Sequence, residues 1–348
     1  MAAREEDIIK AFTNTSNILD ASLSGYHCVT GIFGDDVEFY DGGFCVTVPM
    51  KKDNEASFSK CLRIWHRNLS NMKERSNLVS QALRNSPLRH RYFVDYEYLD
   101  RALNVGGEEV PGIRMDWVAE PTTTLRKFLL GNPTAKQLKQ LAENFYQMCE
   151  DMNGAGFAHG DLSSSNILVN PDMSLILIDY DSMYVPSMKN RFRQEIAGTN
   201  GYQHPERARG VMAASNNDYF SQQVIYVQLL AFALRPQLCS QVSDKELLFT
   251  TGDLANPQAF RSSAHYRTLS SIGDSEVQLY LDELAKAIGQ PIDQVCSVCN
   301  IYRSEQSKPT QIMHRNKNYC PQCGTKYPYE HSAFCNQCQH PREVPKTW

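Results

Sequence analysis

"AHGDLSSSNILVN", residues 158–170, sets Asp161 and Asn166 five residues apart in a polar loop hemmed in by apolar residues. "LILIDYDSM", residues 175–183, follows, with Asp179 and Asp181 at the end of an apolar run that reads as a strand. Side-chain oxygens at the ends of short strands are the equipment for holding a hard cation, and through it a phosphate. These two stretches decide how the rest of the chain is read.

The surrounding composition is that of an ordinary globular protein. Of 348 residues, 42% are hydrophobic and 21% charged, enough for two or three packed units. A net charge of −4 gives no basic field for nucleic acid or an anionic membrane, so neither is expected as a partner. "MAAREEDIIKAFTNTSN" at the start lacks the apolar core of a signal peptide, and no run approaches the roughly 18 apolar residues of a membrane span. The expected location is the cytoplasm. Cys28, Cys45, Cys61, Cys149 and Cys239 stand singly among apolar neighbours and read as inert buried thiols. The other six of the eleven cysteines form three C-x-x-C pairs after residue 295, which in a reducing compartment points to metal rather than disulfides.

Residues 1–115 read as a strand-rich unit with one helix. "FYDGGFCVTVPMKK" and "SFSKCLRIWHR" are strands joined by "DNEA", and "NMKERSNLVSQALRNS" carries apolar residues at helical spacing. "YFVDYEYLDRALNVGGEEVPGIRMDWV" reads as two more strands around a glycine turn. Residues 116–290 are mainly helical. "TAKQLKQLAENFYQMCEDMNGAG" ends at Gly154 and Gly156, "NDYFSQQVIYVQLLAFAL" is apolar enough for a buried helix, and "SEVQLYLDELAKAIG" is amphipathic. Residues 291–348 form a polar, cysteine-rich tail.

Phosphoryl transfer needs a carboxylate to orient the acceptor, oxygen ligands for Mg²⁺, and positive charge on the phosphates. Asp161 and Asn166 on one loop, with Asp179 thirteen residues after Asn166, supply the first two. Here the chain resembles the protein kinase-like superfamily, in its Ser/Thr branch. "HGDLSSSNILV" is similar to the catalytic loop H-R-D-L-x-x-x-N, "IDYD" stands for D-F-G, and His204-Pro205-Glu206 in "GTNGYQHPE" stands for A-P-E. The resemblance spans roughly residues 35–290 and is strong over 155–235. It implies that Asp161 is the catalytic base and that Asn166 and Asp179 hold Mg²⁺. It implies structural roles for His159, for Glu206, paired with a buried base, and for Asp218, which bonds back to the catalytic loop backbone. Thr199 stands where the family has a threonine that contacts the catalytic aspartate; simple turn capping is the alternative. Asp181 reads as a loop carboxylate that only replaces the family's glycine.

The phosphate-binding parts depart from the pattern. In "KCLR", residues 60–63, strand alternation puts Cys61 and Arg63 on one face and Lys60 on the other, so Arg63 takes the slot of the V-A-I-K lysine. Arginine binds phosphate bidentately but is bulkier than lysine. Lys51 or Lys52 from the preceding strand is the alternative. Gly42 and Gly43 in "YDGGFCV" fit a glycine loop over phosphates, and fit any tight hairpin better. Glu74 and Gln81 are both candidates for the helix partner of the cation. Gly160 replaces the family's arginine and Ser163 a lysine, which weakens the positive field. The hinge for the nucleotide is expected at Met115, Asp116 and Val118.

In the tail, Cys320, Cys323, Cys335 and Cys338 have the spacing C-x₂-C-x₁₁-C-x₂-C, which resembles a zinc ribbon over about 318–342. Two such knuckles give a closed four-thiolate Zn²⁺ site, structural rather than catalytic. Cys296 and Cys299 are a possible second Zn²⁺ site, with His314 or His331, or simply two thiols.

The expected architecture is α+β and bilobal: a small β-rich lobe, a helical lobe and a small C-terminal ribbon. The expected function is an ATP- and Mg²⁺-dependent phosphotransferase acting on Ser/Thr of a protein, with the ribbon docking a partner. The alternatives are a pseudokinase serving as a nucleotide-binding or scaffolding module, and a small-molecule kinase of the aminoglycoside or choline type.

Overall fold

The computed structural model describes residues 3–29, 37–67 and 70–307. The chain divides into two units, Met1–Ile301 and Tyr302–Trp348; the first is described below. Its architecture is mixed α+β, built on a curled antiparallel sheet.

The chain opens with α1 (Glu5–Ala11) and continues through β1 (Tyr26–Cys28), β2 (Tyr40–Asp41), β3 (Cys45–Lys52) and β4 (Lys60–Trp65). Helix α2 (Met72–Arg84) precedes the hairpin of β5 (Tyr96–Val105) and β6 (Glu108–Asp116). The strands form a sheet in the order β1-β3-β4-β6-β5, with β2 on the outer part of β3. Alternation explains why the sheet is covered on both faces. Val46, Val48, Met50, Leu62 and Ile64 point to one side, where they bury against Ile8, Ala11 and Phe12 around α1. Cys45, Cys61, Trp65, Ile113 and Met115 point to the other, against Val79 and Leu83 of α2. Helix α1 is a second helix in a region expected to have one. Its apolar turn is short, but Ile8 and Phe12 are almost wholly enclosed and each contributes about 1.5–3 kcal/mol by leaving water.

After β6 the chain becomes helical. β7 (Thr123–Thr124) leads into α3 (Leu125–Leu130) and α4 (Ala135–Ala155). Thr134 and Gln137 close a capping box on α4, and Gly156, the second of the two glycines expected at its end, terminates it in the left-handed region. β8 (Ile167–Val169) and β9 (Leu175–Leu177) form a hairpin beside β7. Then come α5 (Tyr219–Leu234), α6 (Pro257–Ser262), α7 (Ala264–Ser270), α8 (Ser275–Gly289) and α9 (Val298–Ser307). α5 is buried almost all round. Its interior glutamines offset part of the cost: Gln223 Nε2 donates to the Cys296 carbonyl, and Gln228 Oε1 accepts the Leu248 and Phe249 amides.

The apolar cluster on the α2 face of the sheet runs without a break into the helices. Val295, Val298, Cys299 and Ile301 belong to it, so the chain up to 301 packs with the helical part instead of joining the tail at 291. No helix among the described residues is long and apolar enough to cross a membrane.

Candidate functional site

The β8–β9 hairpin pairs Ile167 with Leu177, so Asn166 and Ile178 stand opposite each other just beyond the paired strands. The Ile178 amide donates to the Asn166 carbonyl at 3.0 Å. This register brings the 158–166 loop alongside Asp179. His159 fixes the same junction. Its Nε2 lies 2.8 Å from the Ile178 carbonyl, and its Nδ1 accepts the Asp161 amide at 3.3 Å, which assigns the proton to Nε2. The loop is held from below by Asp218, which accepts the amides of His159 and Gly160, and by Arg207, whose Nη2 donates to the Gly160 carbonyl at 2.6 Å.

Asp161 is the most heavily bonded side chain of the loop. Its carboxylate accepts the Thr199 amide at 2.6 Å, the Thr199 hydroxyl at 3.2 Å, Gln203 Nε2 at 3.2 Å and Asn166 Nδ2 at 3.3 Å. Thr199 therefore does contact Asp161, and Gln203 is a partner that the sequence did not signal. Asn166 is buried, with Nδ2 donating also to the Asp161 carbonyl at 2.9 Å. With Nδ2 so committed, the acceptor end of the amide is the one left to serve as a ligand.

Asp179 closes the arrangement. Its backbone is left-handed, φ 69° and ψ 73°, a conformation uncommon outside glycine. Strain of this kind gathers where a side chain must be aimed. The aim is at Arg63 on β4, 116 residues away: Nη2 donates to Asp179 Oδ1 at 2.8 Å. The same nitrogen donates to Asp181 Oδ2 at 3.0 Å and lies 3.0 Å from Cys45 Sγ. Arg63 is buried, as its place between Thr47 and Ile113 in the sheet requires.

Burial works to raise both carboxyls. At Asp179 the charge and hydrogen bond of Arg63 outweigh it and hold the group below the usual carboxylate range. At Asp181 burial prevails over Arg63, the Asp179 charge adds to it, and the carboxyl is pushed up to about 6. The two groups also differ in exposure: the Asp179 side chain is 44% exposed and that of Asp181 only 8%. Cys45 is no rival for the cation: burial pushes its thiol up to about 11.

Several expected parts sit elsewhere. Lys60 is ion-paired with Asp116, which commits one of the three hinge candidates. Met115 is buried in the main core and Val118 lies partly buried against it. Lys52 rests over the Tyr26 ring, 4.9 Å from its centre, while Arg63 is the cation that meets Asp179. Lys51 stands opposite His27 in the β1–β3 ladder. Glu74 is ion-paired with Arg191, not Arg63. Glu206 accepts the Ile292 amide at 3.0 Å instead of pairing with a base. Asp181 is no idle loop carboxylate; the sequence did not show it as a partner of Arg63, because charged side chains are by default solvent-facing.

Gly42 and Cys45 exchange backbone hydrogen bonds of 2.9 and 3.2 Å, closing a tight hairpin, and Gly43 has no neighbour within 4 Å of where a Cβ would lie. Tyr40, just before it, packs its ring 5.3 Å from that of Trp117 after β6. The five single cysteines are all buried, as expected. Cys296 is exposed and Cys299 buried. Cys320, Cys323, Cys335 and Cys338 lie outside the described residues, as do His314 and His331.

No family model matches the chain, and no curated protein matches it.

Proposed function

We propose that the chain is a protein kinase-like phosphotransferase with a bilobal fold, using Mg²⁺ and ATP to phosphorylate Ser or Thr of a protein. One observation carries the reading: Asp161 is bonded to Asn166 and Asp179 to Arg63, and the Ile178–Asn166 backbone bond sets these two pairs, drawn from more than a hundred residues of sequence, at adjoining strand ends. In this reading Asp161, fixed by Thr199, Gln203 and Asn166, orients the acceptor hydroxyl. Asn166 Oδ1 and Asp179 ligate Mg²⁺. Arg63 replaces a lysine on the phosphates, and Met115–Val118 with the Gly42–Gly43 hairpin border the nucleotide. The donor set suits a hard cation, being an amide oxygen and a carboxylate. The metal neutralises the phosphate oxygens when bound; the protein supplies position and charge.

A second reading, a nucleotide-binding scaffold without transfer, is favoured by the Arg63–Asp179 bond, which engages the carboxylate that the metal would need. Two measurements separate the readings. Mg·ATP raises the thermal midpoint under both. Single-turnover transfer of the terminal phosphate to a protein acceptor falls by about 10²–10⁴-fold in Asp161→Asn under the first. Equal rates in wild type and Asp161→Asn would discard the enzyme and leave the scaffold. Zinc held by Cys320, Cys323, Cys335 and Cys338 completes the proposal as a structural ribbon suited to docking a protein partner.

A further inference from the structure

Arg63 has two carboxylate partners, and they are not equivalent. Asp179 and Asp181 both accept from Nη2, at 2.8 and 3.0 Å. The Asp179 side chain is 44% exposed and carries a strained backbone, whereas Arg63 and Asp181 are each 8% exposed. We propose that Asp181 is the positioning residue of this site: its enclosed carboxylate keeps Arg63 in place when Asp179 turns from Arg63 to a metal ion. The inference rests on the reading of the preceding subsection for the metal, but its first step concerns this chain's own residues alone.

A guanidinium enclosed by protein and stripped of its carboxylates leaves an uncompensated charge, which is strongly destabilising. If Asp179 were the sole partner, its departure to Mg²⁺ would leave Arg63 with no protein counter-charge, held in place by the phosphates alone. Asp181 prevents this, because a permanent partner remains. No helix carboxylate does this work. Glu74 is turned outward to Arg191, and the buried residues of α2 are Ser76, Val79, Ser80 and Leu83. The thiol of Cys45 is neutral and balances no charge. The device that anchors the cation thus moves from helix α2 to the residue two positions after Asp179. A displacement of α2 would leave the Arg63 ion pair intact.

The first test uses the full chain without nucleotide. Urea midpoints are measured for Asp181→Asn, Asp179→Asn, Arg63→Met and the two pairwise combinations with Arg63→Met. The double-mutant cycles give a larger coupling of Arg63 to Asp181 than to Asp179: Arg63→Met removes most of the effect of Asp181→Asn but little of that of Asp179→Asn. Where Asp181→Asn proves too unstable, Arg63→Met with Asp181→Leu replaces the pair by apolar groups and folds. Coupling of Arg63 to Asp179 equal to or above its coupling to Asp181 overturns the proposal, whatever the chain binds.

The second test titrates ATP with Mg²⁺ and with a chelator. Mg²⁺ strengthens binding by about tenfold or more in wild type and by less than about threefold in Asp181→Asn, because Asp179 is then retained by Arg63. Asp181→Glu restores part of the effect. A merely structural Asp181 weakens binding equally with and without the metal, which also overturns the proposal. Wild type that binds no nucleotide defeats the reading of the preceding subsection, and the urea cycle still decides which carboxylate holds Arg63.

Discussion

Asp218 Oδ1 accepts the Gly160 amide at 2.8 Å, and its other oxygen accepts the His159 amide next to it. One carboxylate at the start of α5 therefore holds the loop that carries Asp161. Both amides are buried in a region where water has no access. Removing the acceptor in Asp218→Ala leaves two unsatisfied donors, a loss of about 2–5 kcal/mol in urea unfolding. Asp218→Asn keeps one acceptor and costs less, the more so because burial already disfavours the charge of this carboxyl. Equal losses for the two variants would show that the contact is not what holds the loop.

Gly160 itself is fixed by space as well as by angle. Its φ is +79°, and a Cβ there would lie 2.1 Å from the Ser182 carbonyl oxygen and 2.6 Å from Gln194 Nε2. The arginine that the resemblance places at this position has no room. Gly160→Ala should cost more than about 3 kcal/mol, since backbone must move as well as strain. Gly273→Ala is the control: φ is +75° but nothing lies within 4 Å, so it pays only the left-handed penalty of about 1–2 kcal/mol. Similar losses at the two sites would remove the steric explanation.

How far the sequence could be read follows from the range of each interaction. The strands at Ile167–Val169 and Leu175–Leu177, the capped helix α4 and the apolar α5 are written in local pattern, and the register of the two strands sets Asn166 opposite Ile178, next to Asp179. The face of Arg63 followed from the two-residue period of a strand. Helix α1 escaped because seven residues are too few for a 3.6-residue period to declare itself. The exchange of Glu74 for Asp181 as the acidic partner in this region was invisible for another reason. Asp181 lies 118 residues from Arg63, and a carboxylate near a strand end looks the same in sequence whether it meets water or a guanidinium. Gln203 and Arg207 belong to the same class: long-range polar contacts with no periodic signature.

The tail offers a prediction that spacing alone carries. Protein purified without chelator should hold zinc at one ion per chain, bound by Cys320, Cys323, Cys335 and Cys338. Cys320→Ser combined with Cys323→Ser abolishes it, while Cys28→Ser, at a buried thiol, leaves it unchanged. A second zinc ion that is lost with Cys296→Ser would assign the remaining pair. The main unfolding transition, set by the core up to Ile301, should be little affected by zinc removal. Zinc-free protein, measured by atomic emission, would end the ribbon assignment.

His204 supplies the pH dependence. It is buried, its Nε2 lies 3.1 Å from the Ala287 carbonyl, and its Nδ1 accepts the Glu206 amide at 3.2 Å. The second bond needs the neutral ring, while Nε2–H donates to the carbonyl in either state. Protonation turns Nδ1 into a donor facing an N–H, and burial depresses the imidazole below its ordinary value. The unfolded chain therefore binds the proton more readily than the folded one. The stabilising contribution is complete above the unfolded value of about 6.5 and is lost as pH falls through that value toward the lower folded one. Urea midpoints from pH 8 to pH 5 should fall more steeply in wild type than in His204→Gln, which is less stable at pH 8 but has no ring to protonate. Parallel curves for the two proteins would show that His204 carries no part of the acid sensitivity, and that the junction between the 198–206 segment and α8 rests on its apolar contacts instead.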